Sequence, residues 1–450
     1  MKNRDGFSSK MGVIAAAAGS AIGLGNIWKF PYVTGTNGGS AFIILYLVAV
    51  VLVGLPAMLS AFIIGRATHR NAVGALKDLA PGSKWHWVGQ MGILGAFLLL
   101  AFYSTVGGWT LEYIYASAAG ELSGLDTESL KTFNSQFIAD STLSIFWQAI
   151  FIIATGWIVF FGVQKGIERY SKILMPMLFV IIIVLDIRAL TLDGASKGIE
   201  FLFNPDFSKI DRNVILNAMG QAFFSLSVGL GTMVIYGSYI KKSENLGGIA
   251  SQISVADTLI ALLAGVAIFP AVFAYNIDPG AGPGLIFVAL PNIFSQMPGG
   301  YFFSLIFFIL LGVAALTSSI SILETLVAYC VEEFKLKRKS AVFTMMSLLV
   351  IAGIPCTLSF GPWADHTVFG KTVFDLFDFT VSNLILPLGG LALLVFCGWI
   401  MKTETVKNEF TSFGKYGDAL FPMFYFLVRF FAPIAMVLVF LNQLGVFAKI

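Results

Sequence analysis

Charged residues are scarce in this chain. Asp, Glu, Lys and Arg make up 12% of its 450 residues, and hydrophobic residues make up 57%. A soluble domain has about twice that charged fraction, so the composition excludes the soluble globular class. The formal net charge is only +3, which gives no reason to expect a nucleic-acid partner. The composition predicts an integral membrane protein.

Cysteine and histidine are also scarce, at three residues each. Cys330, Cys356 and Cys397 lie in or at the ends of apolar segments, so we expect no structural disulfide. The histidines are scattered, and the sequence contains no recognisable metal-ligand or nucleophile–base grouping. We therefore do not expect an enzyme.

Long apolar segments are abundant. About eleven of them approach the ~20 residues that a helix needs to cross a bilayer. They lie near 11–35, 40–64, 87–119, 144–163, 167–190, 213–239, 249–276, 300–333, 341–360, 373–400 and 421–447. The polar stretches 121–141 and 191–212 are interpreted as structured extracellular loops, and 278–298 as a re-entrant or extracellular cap. The prediction is one all-α transmembrane domain over residues 1–450.

Lysine and arginine set the expected orientation. Basic clusters precede the first apolar segment and follow the second, fourth, sixth, eighth and tenth. All of them fall on one side, which is cytoplasmic by the positive-inside rule. We therefore expect a multi-pass cell-membrane protein with a cytoplasmic N-terminus and an extracytoplasmic C-terminus. The basic start could also belong to a signal peptide, but its cleavage would remove the motif described next.

Two distant apolar segments carry the same interruption. Residues 22–25 read IGLG in the first segment, and residues 228–231 read VGLG in the sixth. Paired glycines make a helix easy to unwind. Unwound backbone survives in a bilayer only where protein or a water-filled cavity satisfies its polar groups. Matching breaks in two halves of a membrane protein indicate the binding site of a secondary transporter.

These interruptions belong to longer motifs. Residues 19–32 (GSAIGLGNIWKFPY), followed by NGG at 37–39, resemble the first helix of neurotransmitter:sodium symporters. Residues 221–231 (QAFFSLSVGLG) and 316–320 (LTSSI) resemble the same family, and the resemblance runs from about residue 8 to 400. It implies two inverted repeats of five helices, about 10–190 and 213–400, with helices 1 and 6 broken. An extra helix at about 421–447 would complete the eleven-helix, leucine-transporter-like branch.

The resemblance also implies two sodium sites, in which oxygen atoms bind the hard cation. One would use the Ala21 carbonyl with Asn26, Ser225 and Asp257. The other would use the carbonyls of Gly19, Ile22 and Ala314 and the hydroxyls of Thr317 and Ser318. Taken alone, the Thr-Ser-Ser run would also fit ordinary small-residue helix packing. The first-helix motif favours sodium.

Asp257 is the most informative single residue, because an ionisable side chain inside a membrane is functional by default. Many family members have Asn there and need chloride. Tyr46, Gln221 and Ser225 match the chloride-site positions, but Ala261 stands where Ser would complete that site. We expect chloride-independent transport, with Asp257 ionised when loaded and protonated on the empty return. The alternative is a carboxylate packed against polar neighbours without an ion.

The break in the first helix also offers groups that could bind an amino acid. Free N–H groups around Leu24 and Gly25, with the Tyr103 hydroxyl, should hold a carboxylate, and carbonyls near Ala21, Phe224 and Ser225 should meet an amine. Biogenic-amine members of the resembled family carry an Asp in this helix, whereas no acid lies at 19–21 here, which disfavours a decarboxylated amine. By resemblance the side-chain pocket is formed by Ser20, Leu99, Tyr103, Phe224, Leu230, Ser318, Ser319 and Ile322. Being apolar and uncharged, it favours a hydrophobic or aromatic amino acid.

The resemblance supplies gates on both sides. Lys29 and Asp378 match an outer charged pair supported by Gln221, above an aromatic lid of Tyr103 and Phe224. Arg4 and Glu332 match a cytoplasmic pair near Ser238 and Tyr239. Paired gates around one midplane site argue against a channel. A non-transporting amino-acid sensor, or a symporter for another small amino acid or osmolyte, remains an alternative.

Two positions depart from the family pattern. Ala61 stands where the family usually has Glu, and Glu324 is a candidate substitute for that acid. Arg429 lies well inside the last apolar segment, and the sequence identifies no partner for it.

Overall fold

The computed structural model describes residues 6–275 and 285–447, which are helical and contain no β-strand. The helices of the first half are α1 Lys10–Ala21, α2 Gly25–Thr36, α3 Ser40–Thr68, α4 Ala72–Leu79, α5 His86–Ala119, α6 Thr127–Ala139, α7 Ser141–Phe160, α8 Val163–Leu190 and α9 Ala195–Phe203. Those of the second half are α10 Arg212–Ser225, α11 Thr232–Tyr239, α12 Leu246–Ala274, α13 Ile286–Gln296, α14 Gly300–Glu333, α15 Arg338–Leu358, α16 Val373–Ile400, α17 Thr403–Phe410 and α18 Asp418–Gln443.

Within the described residues, nine helices are long and apolar enough to cross a membrane, and α1 with α2 makes a tenth span bent by 51°. The predicted sixth segment is present as α10 and α11, of 14 and 8 residues. The all-helical membrane class and the breaks in segments 1 and 6 are therefore confirmed. The eleventh span remains a prediction that depends on α10 and α11 crossing together.

The shorter helices lie in the predicted connections. Helices α6 and α9 fall within 121–141 and 191–212, so both loops are structured as expected. Residues 278–284 of the predicted cap lie outside the described residues. The remainder forms α13, which is anchored where the Tyr113 hydroxyl donates to the Phe287 carbonyl at 2.9 Å.

Glycines bring α3 and α11 into backbone contact. A Cβ on Gly65 would overlap the carbonyl oxygen of Val234, and one on Gly237 would lie 2.6 Å from Cα of Phe62. Small residues at such crossings let membrane helices approach closely. The second half of the broken sixth segment therefore packs as one body with α3.

A buried ion pair ties α3 to α17. The side chain of Arg66 is fully buried, and its Nε lies 2.8 Å from Oε2 of Glu409, 343 positions away in the chain. Arg66 also donates to the carbonyls of Glu244 and Glu409. Lys242 adds a second cation, 2.9 Å from Oε1 of Glu409. Two remote segments are thus held against the end of α3.

We predict that Glu409→Gln destabilises the protein strongly, because it leaves the buried Arg66 charge without its counter-ion. Breaking a buried pair costs about 3–5 kcal/mol. The matched control is Asp418→Asn, which removes an exposed pair with Lys407 and should cost about 0–1 kcal/mol. Thermal unfolding of both variants in detergent measures the difference. Equal stability of the two variants would contradict the role given to this pair.

Candidate functional site

The site starts at the break between α1 and α2. The last turn of α1 closes with the Ile22 N–H donating to the Ala18 carbonyl at 2.7 Å. Ile22 then takes an extended conformation, and the helix resumes at Gly25. The carbonyls of Gly19, Ser20 and Ile22 are thereby left without partners inside their own helix. They are available to side chains or to a cation.

Two hydroxyls of α14 meet these carbonyls. Ser318 Oγ lies 3.4 Å from the Gly19 oxygen, 3.2 Å from that of Ser20 and 3.4 Å from that of Ile22. Thr317 Oγ1 lies 3.4 Å from the Ile22 oxygen and 3.0 Å from the Ala314 oxygen. All five oxygens expected for the second sodium site therefore converge in one buried place.

The break between α10 and α11 lies beside the first one. Ser227, Gly229 and Gly231 all have positive φ, at 52°, 116° and 82°. At Gly229, a side chain would also meet the Leu386 carbonyl at 2.5 Å, so glycine is required there. Ser227 Oγ donates to the Ser20 carbonyl at 3.3 Å. The two broken segments thus contact each other directly.

A buried polar cluster surrounds Asp257. Its Oδ1 accepts from Asn26 Nδ2 at 2.8 Å, and its Oδ2 accepts from Ser225 Oγ at 2.7 Å and from the Tyr46 hydroxyl at 3.4 Å. Asn26 Nδ2 also donates to the Asp257 carbonyl at 3.1 Å. Every member of this cluster is buried. The side chains expected at the first sodium site, from α2, α10 and α12, are therefore in contact.

This cluster fits a hard cation in its donor types, with one adjustment. The Asn26 amide nitrogen faces Asp257, while its Oδ1 accepts from the Gly23 N–H at 3.3 Å. Rotating the Asn26 side-chain amide by a half-turn would place its oxygen, an acceptor, where its nitrogen, a donor, now faces Asp257. Oxygens of Asn26, Ser225 and Asp257 could then face one ion.

Several predicted pocket residues line the first break. The Leu24 N–H donates to the Tyr103 hydroxyl at 3.4 Å. A Cβ on Gly25 would lie 3.2 Å from the Phe224 ring, so that ring covers the break. Leu99 lies one turn before Tyr103 on α5 and shares its face. A backbone N–H group, a hydroxyl and an aromatic cover are thus grouped together.

The remaining predicted pocket residues differ in whether their side chains lie near the break. Leu230 and Ile322 are buried, and Leu230 packs against α5 at Gly95. The Ser319 hydroxyl instead contacts Thr155 Oγ1 on α7 at 2.8 Å and donates to the Leu316 carbonyl. Ser319 therefore joins α14 to the surrounding helices, and its hydroxyl is engaged away from the break.

An open cavity lies above Phe224. It encloses about 800 Å³, including its open mouth, and is lined by Lys29, Gln221, Phe224, Ser382 and other residues of α2, α10, α16 and α18. Both amide atoms of Gln221 are buried in it without a hydrogen-bond partner. Lys29 Nζ lies 3.6 Å above the Phe224 ring. The cavity floor is thus a cation stacked on an aromatic ring.

The expected outer pair is not joined. Asp378 accepts from Ser382 Oγ at 2.8 Å, and no salt bridge between the described residues Lys29 and Asp378 is present. The Lys29 cation contacts Phe224 instead. Of this pair, Lys29 lines the open cavity, and Asp378 is not among the lining residues.

On the side of the protein opposite this cavity, the polar contacts are formed. Glu332 accepts from the Asn71 backbone and side-chain N–H groups at 2.8 Å. Its predicted partner Arg4 lies outside the described residues. Tyr239 donates to Glu324 at 2.7 Å, and Arg338 pairs with Glu324 at 2.5 Å. Glu324, flagged only as a replacement for a missing acid, thus belongs to a Tyr–Glu–Arg cluster.

Glu168 is a site residue that sequence reasoning missed. It accepts from the Ser8 N–H and hydroxyl at 2.7 Å, from Ser9 at 2.9 Å and from Lys172 at 2.6 Å. The i,i+4 pair with Lys172 was readable on a helix. The contacts with Ser8 and Ser9, 160 and 159 positions away, had no local signal. They tie the start of α1 to α8 on the side where the basic clusters lie.

Comparison with known proteins identifies the chain. Residues 4–144 and 136–450 match the model of the Sodium:neurotransmitter symporter family. The chain belongs to this family. It is therefore a multi-pass membrane protein of a sodium-coupled transporter family, and that family is not enzymatic.

Relatives in this family match nearly the whole length of the chain. An uncharacterized sodium-dependent transporter of Bacillus subtilis, YhdH, is 43% identical over 98% of both chains. One from Haemophilus influenzae is 37% identical over 98% of this chain and 99% of its own. The crystal structure of MhsT in complex with L-phenylalanine superposes with a TM-score of 0.90 at 46% identity, covering 98% of this chain and 100% of that one.

We predict that Gly23→Ala impairs sodium binding, because the added Cβ would collide with Ser318 Oγ and approach the Tyr103 hydroxyl. Gly247→Ala is the control, since its nearest contact is 3.6 Å away. The measurement is the sodium concentration that gives half-maximal thermal stabilisation. It should rise at least about ten-fold in Gly23→Ala, equivalent to ~1.4 kcal/mol, and stay constant in Gly247→Ala. An unchanged value in Gly23→Ala would contradict this account of the break.

Proposed function

We propose that this protein is a sodium-coupled symporter for a hydrophobic or aromatic α-amino acid, with two sodium sites and chloride-independent coupling. The observation that carries the proposal is the convergence of Thr317 and Ser318 on the carbonyls freed by the first break. A hydroxyl and carbonyl cluster without a carboxylate suits a monovalent hard cation. The similarity to MhsT, whose structure contains L-phenylalanine, supports the substrate class.

The first break supports an amino-acid site. The α-carboxylate would sit at the N–H groups of Leu24 and Gly25, where the start of α2 also contributes a positive dipole end. Tyr103, already bonded to Leu24, would turn its hydroxyl to the same carboxylate. The amine would face carbonyls near Ala21, Phe224 and Ser225. The apolar part would lie among Leu99, Leu230 and Ile322.

Coupling follows from shared ligands. The carboxylate at Leu24 would stand next to Asn26 and the Ala21 carbonyl, both proposed for the first sodium. An anion and a cation bound side by side in a low-dielectric site stabilise each other. Each ligand therefore raises the affinity for the other by the same factor. The sodium gradient would thereby drive accumulation of the amino acid.

Alternating access is proposed to use the two polar layers. With the outer cavity open and the Tyr239–Glu324–Arg338 cluster intact, the present arrangement suits loading from the side opposite the basic clusters, which we infer to be extracellular. Closure would bring Lys29 from Phe224 to Asp378. Lysine cannot form the bidentate fork of arginine, so this latch would be weak.

We predict sodium-driven accumulation of labelled Phe, Trp, Tyr and Leu in proteoliposomes, with much less uptake of Gly or proline betaine, because a small or quaternary ligand leaves the apolar pocket unfilled. Uptake is measured with inward sodium gradients and with potassium as control. Binding without accumulation would identify a sensor. Preference for Gly or betaine would identify the osmolyte alternative.

We predict that wild-type uptake is unchanged when chloride is replaced by gluconate, whereas Asp257→Asn combined with Ala261→Ser becomes chloride-dependent. In this proposal the Asp257 carboxylate supplies the negative charge that chloride supplies elsewhere in the family. Tyr46 and Ser225 contact that carboxylate, and with Gln221 they would, by resemblance, hold the chloride of the double variant. Ala261→Ser alone is the control and should remain indifferent to chloride. A double variant that transports equally in both anions would overturn the role given to Asp257.

A further inference from the structure

Arg429 lies inside α18, about 12 Å along the helix axis from Phe421. It belongs to a π-helical turn, Leu427–Phe431. No ion pair involves it within the described residues, and its Nε is buried without a hydrogen-bond partner. A charged side chain at such depth is costly, so it normally reaches an anion or the interface.

Aromatic rings surround the guanidinium group. Its Cζ lies 4.4 Å from the ring centre of Trp399, 5.2 Å from that of Tyr425 and 5.8 Å from that of Phe430. Cation–π attraction offsets part of the desolvation cost. It does not satisfy the N–H groups, because guanidinium has five donors and no acceptor. The rings orient the arginine while leaving its hydrogen bonds unmade.

The surrounding backbone holds this arrangement in place. Trp399 Nε1 donates to the Arg429 carbonyl at 3.0 Å, which joins π-helical turns of α16 and α18. A Cβ on Gly398 would come within 3.0 Å of Arg429 Cγ. Tyr425 donates to the Gly398 carbonyl at 3.2 Å and contacts Thr403 Oγ1 at 2.9 Å. π-turns inside helices often mark functional positions.

The surroundings indicate which anion could reach Arg429. Trp399 is 52% exposed and Phe426 58%, on spans whose exposed apolar side chains face lipid. Lys402 and Lys415 are exposed, and Lys402 is next to Thr403, whose hydroxyl contacts Tyr425. A soluble anion would have to pass this apolar rim, whereas a phospholipid can cover the rings with its acyl chains while its phosphate meets the arginine.

We propose that Arg429, framed by Trp399, Tyr425 and Phe430, binds the phosphate of an anionic phospholipid in the leaflet on the side of Lys402 and Lys415. The planar guanidinium can donate two parallel N–H bonds to the phosphate oxygens. Lys402, three residues after Trp399, would attract the anionic headgroup to the same place. This site is separate from the amino-acid and sodium sites and does not depend on them.

Native mass spectrometry of the full-length protein in dodecylmaltoside, titrated with phosphatidylglycerol, tests the proposal. The wild type should retain one tightly bound lipid. Arg429→Gln should weaken that binding about ten-fold or more, because it removes the charge and the fork. Arg429→Lys keeps the charge without the fork and should be intermediate. Lys415→Gln, which removes an exposed charge on the same side, should retain the tight lipid.

Thermal unfolding gives a second measurement. Phosphatidylglycerol should raise the unfolding temperature of the wild type and of Lys415→Gln, but not of Arg429→Gln. Phosphatidylcholine and inorganic phosphate should have little effect on any of them. Equal protection by phosphatidylcholine, or by phosphate alone, would overturn the assignment to an anionic lipid. Equal lipid affinity of Arg429→Gln and the wild type would overturn the site itself. So would a dimer that forms without lipid in the wild type and is lost in Arg429→Gln, because Arg429 would then act at a protein contact.

Discussion

The structure depends on satisfying unwound backbone inside a bilayer. Each broken segment exposes carbonyl and N–H groups that hydrocarbon cannot satisfy. Here the breaks lie against each other, through Ser227 and Ser20, and against the hydroxyls of Thr317 and Ser318. The partners are short side chains whose bonds are long, at 3.2–3.4 Å. The breaks are satisfied weakly enough for an ion or ligand to replace the partners.

The polar groups are arranged in layers along the membrane normal. The Asp257 cluster and the Ser318 cluster flank the breaks, Lys29 and Gln221 lie in the open cavity, and Glu324 and Glu332 lie on the other side. In the Asp257 cluster and in the layer of Glu324 and Glu332, the carboxylates accept from donors on at least one other helix. Such contacts can be exchanged without repacking the apolar core, which an alternating mechanism requires.

Much of this could be predicted from the sequence. The apolar segments and the paired glycines are local signals, so the helices and both breaks were predictable, as were the residues that converge at the first break. Pairings between distant segments were not, because nothing in the sequence marks Arg66 and Glu409, or Ser8 and Glu168, as neighbours. Ser319 shows the limit of carrying over a motif, since its neighbour Ser318 faces the break while its own hydroxyl faces Thr155. Arg429 was visible as an anomaly, but the rings around it come from three separate turns.

The glycine contacts between α3 and α11 have a mechanical consequence. Two backbones that touch at Gly65 and Gly237 cannot slide past one another without opening voids or collisions. If α11 tilts, α3 must therefore tilt with it as one rigid unit. The rotation must be absorbed by residues 227–231, where Ser227, Gly229 and Gly231 have positive φ and the chain is not helical. The pivot lies beside the proposed ion sites, so a small change in coordination there would become a larger displacement at the membrane surface.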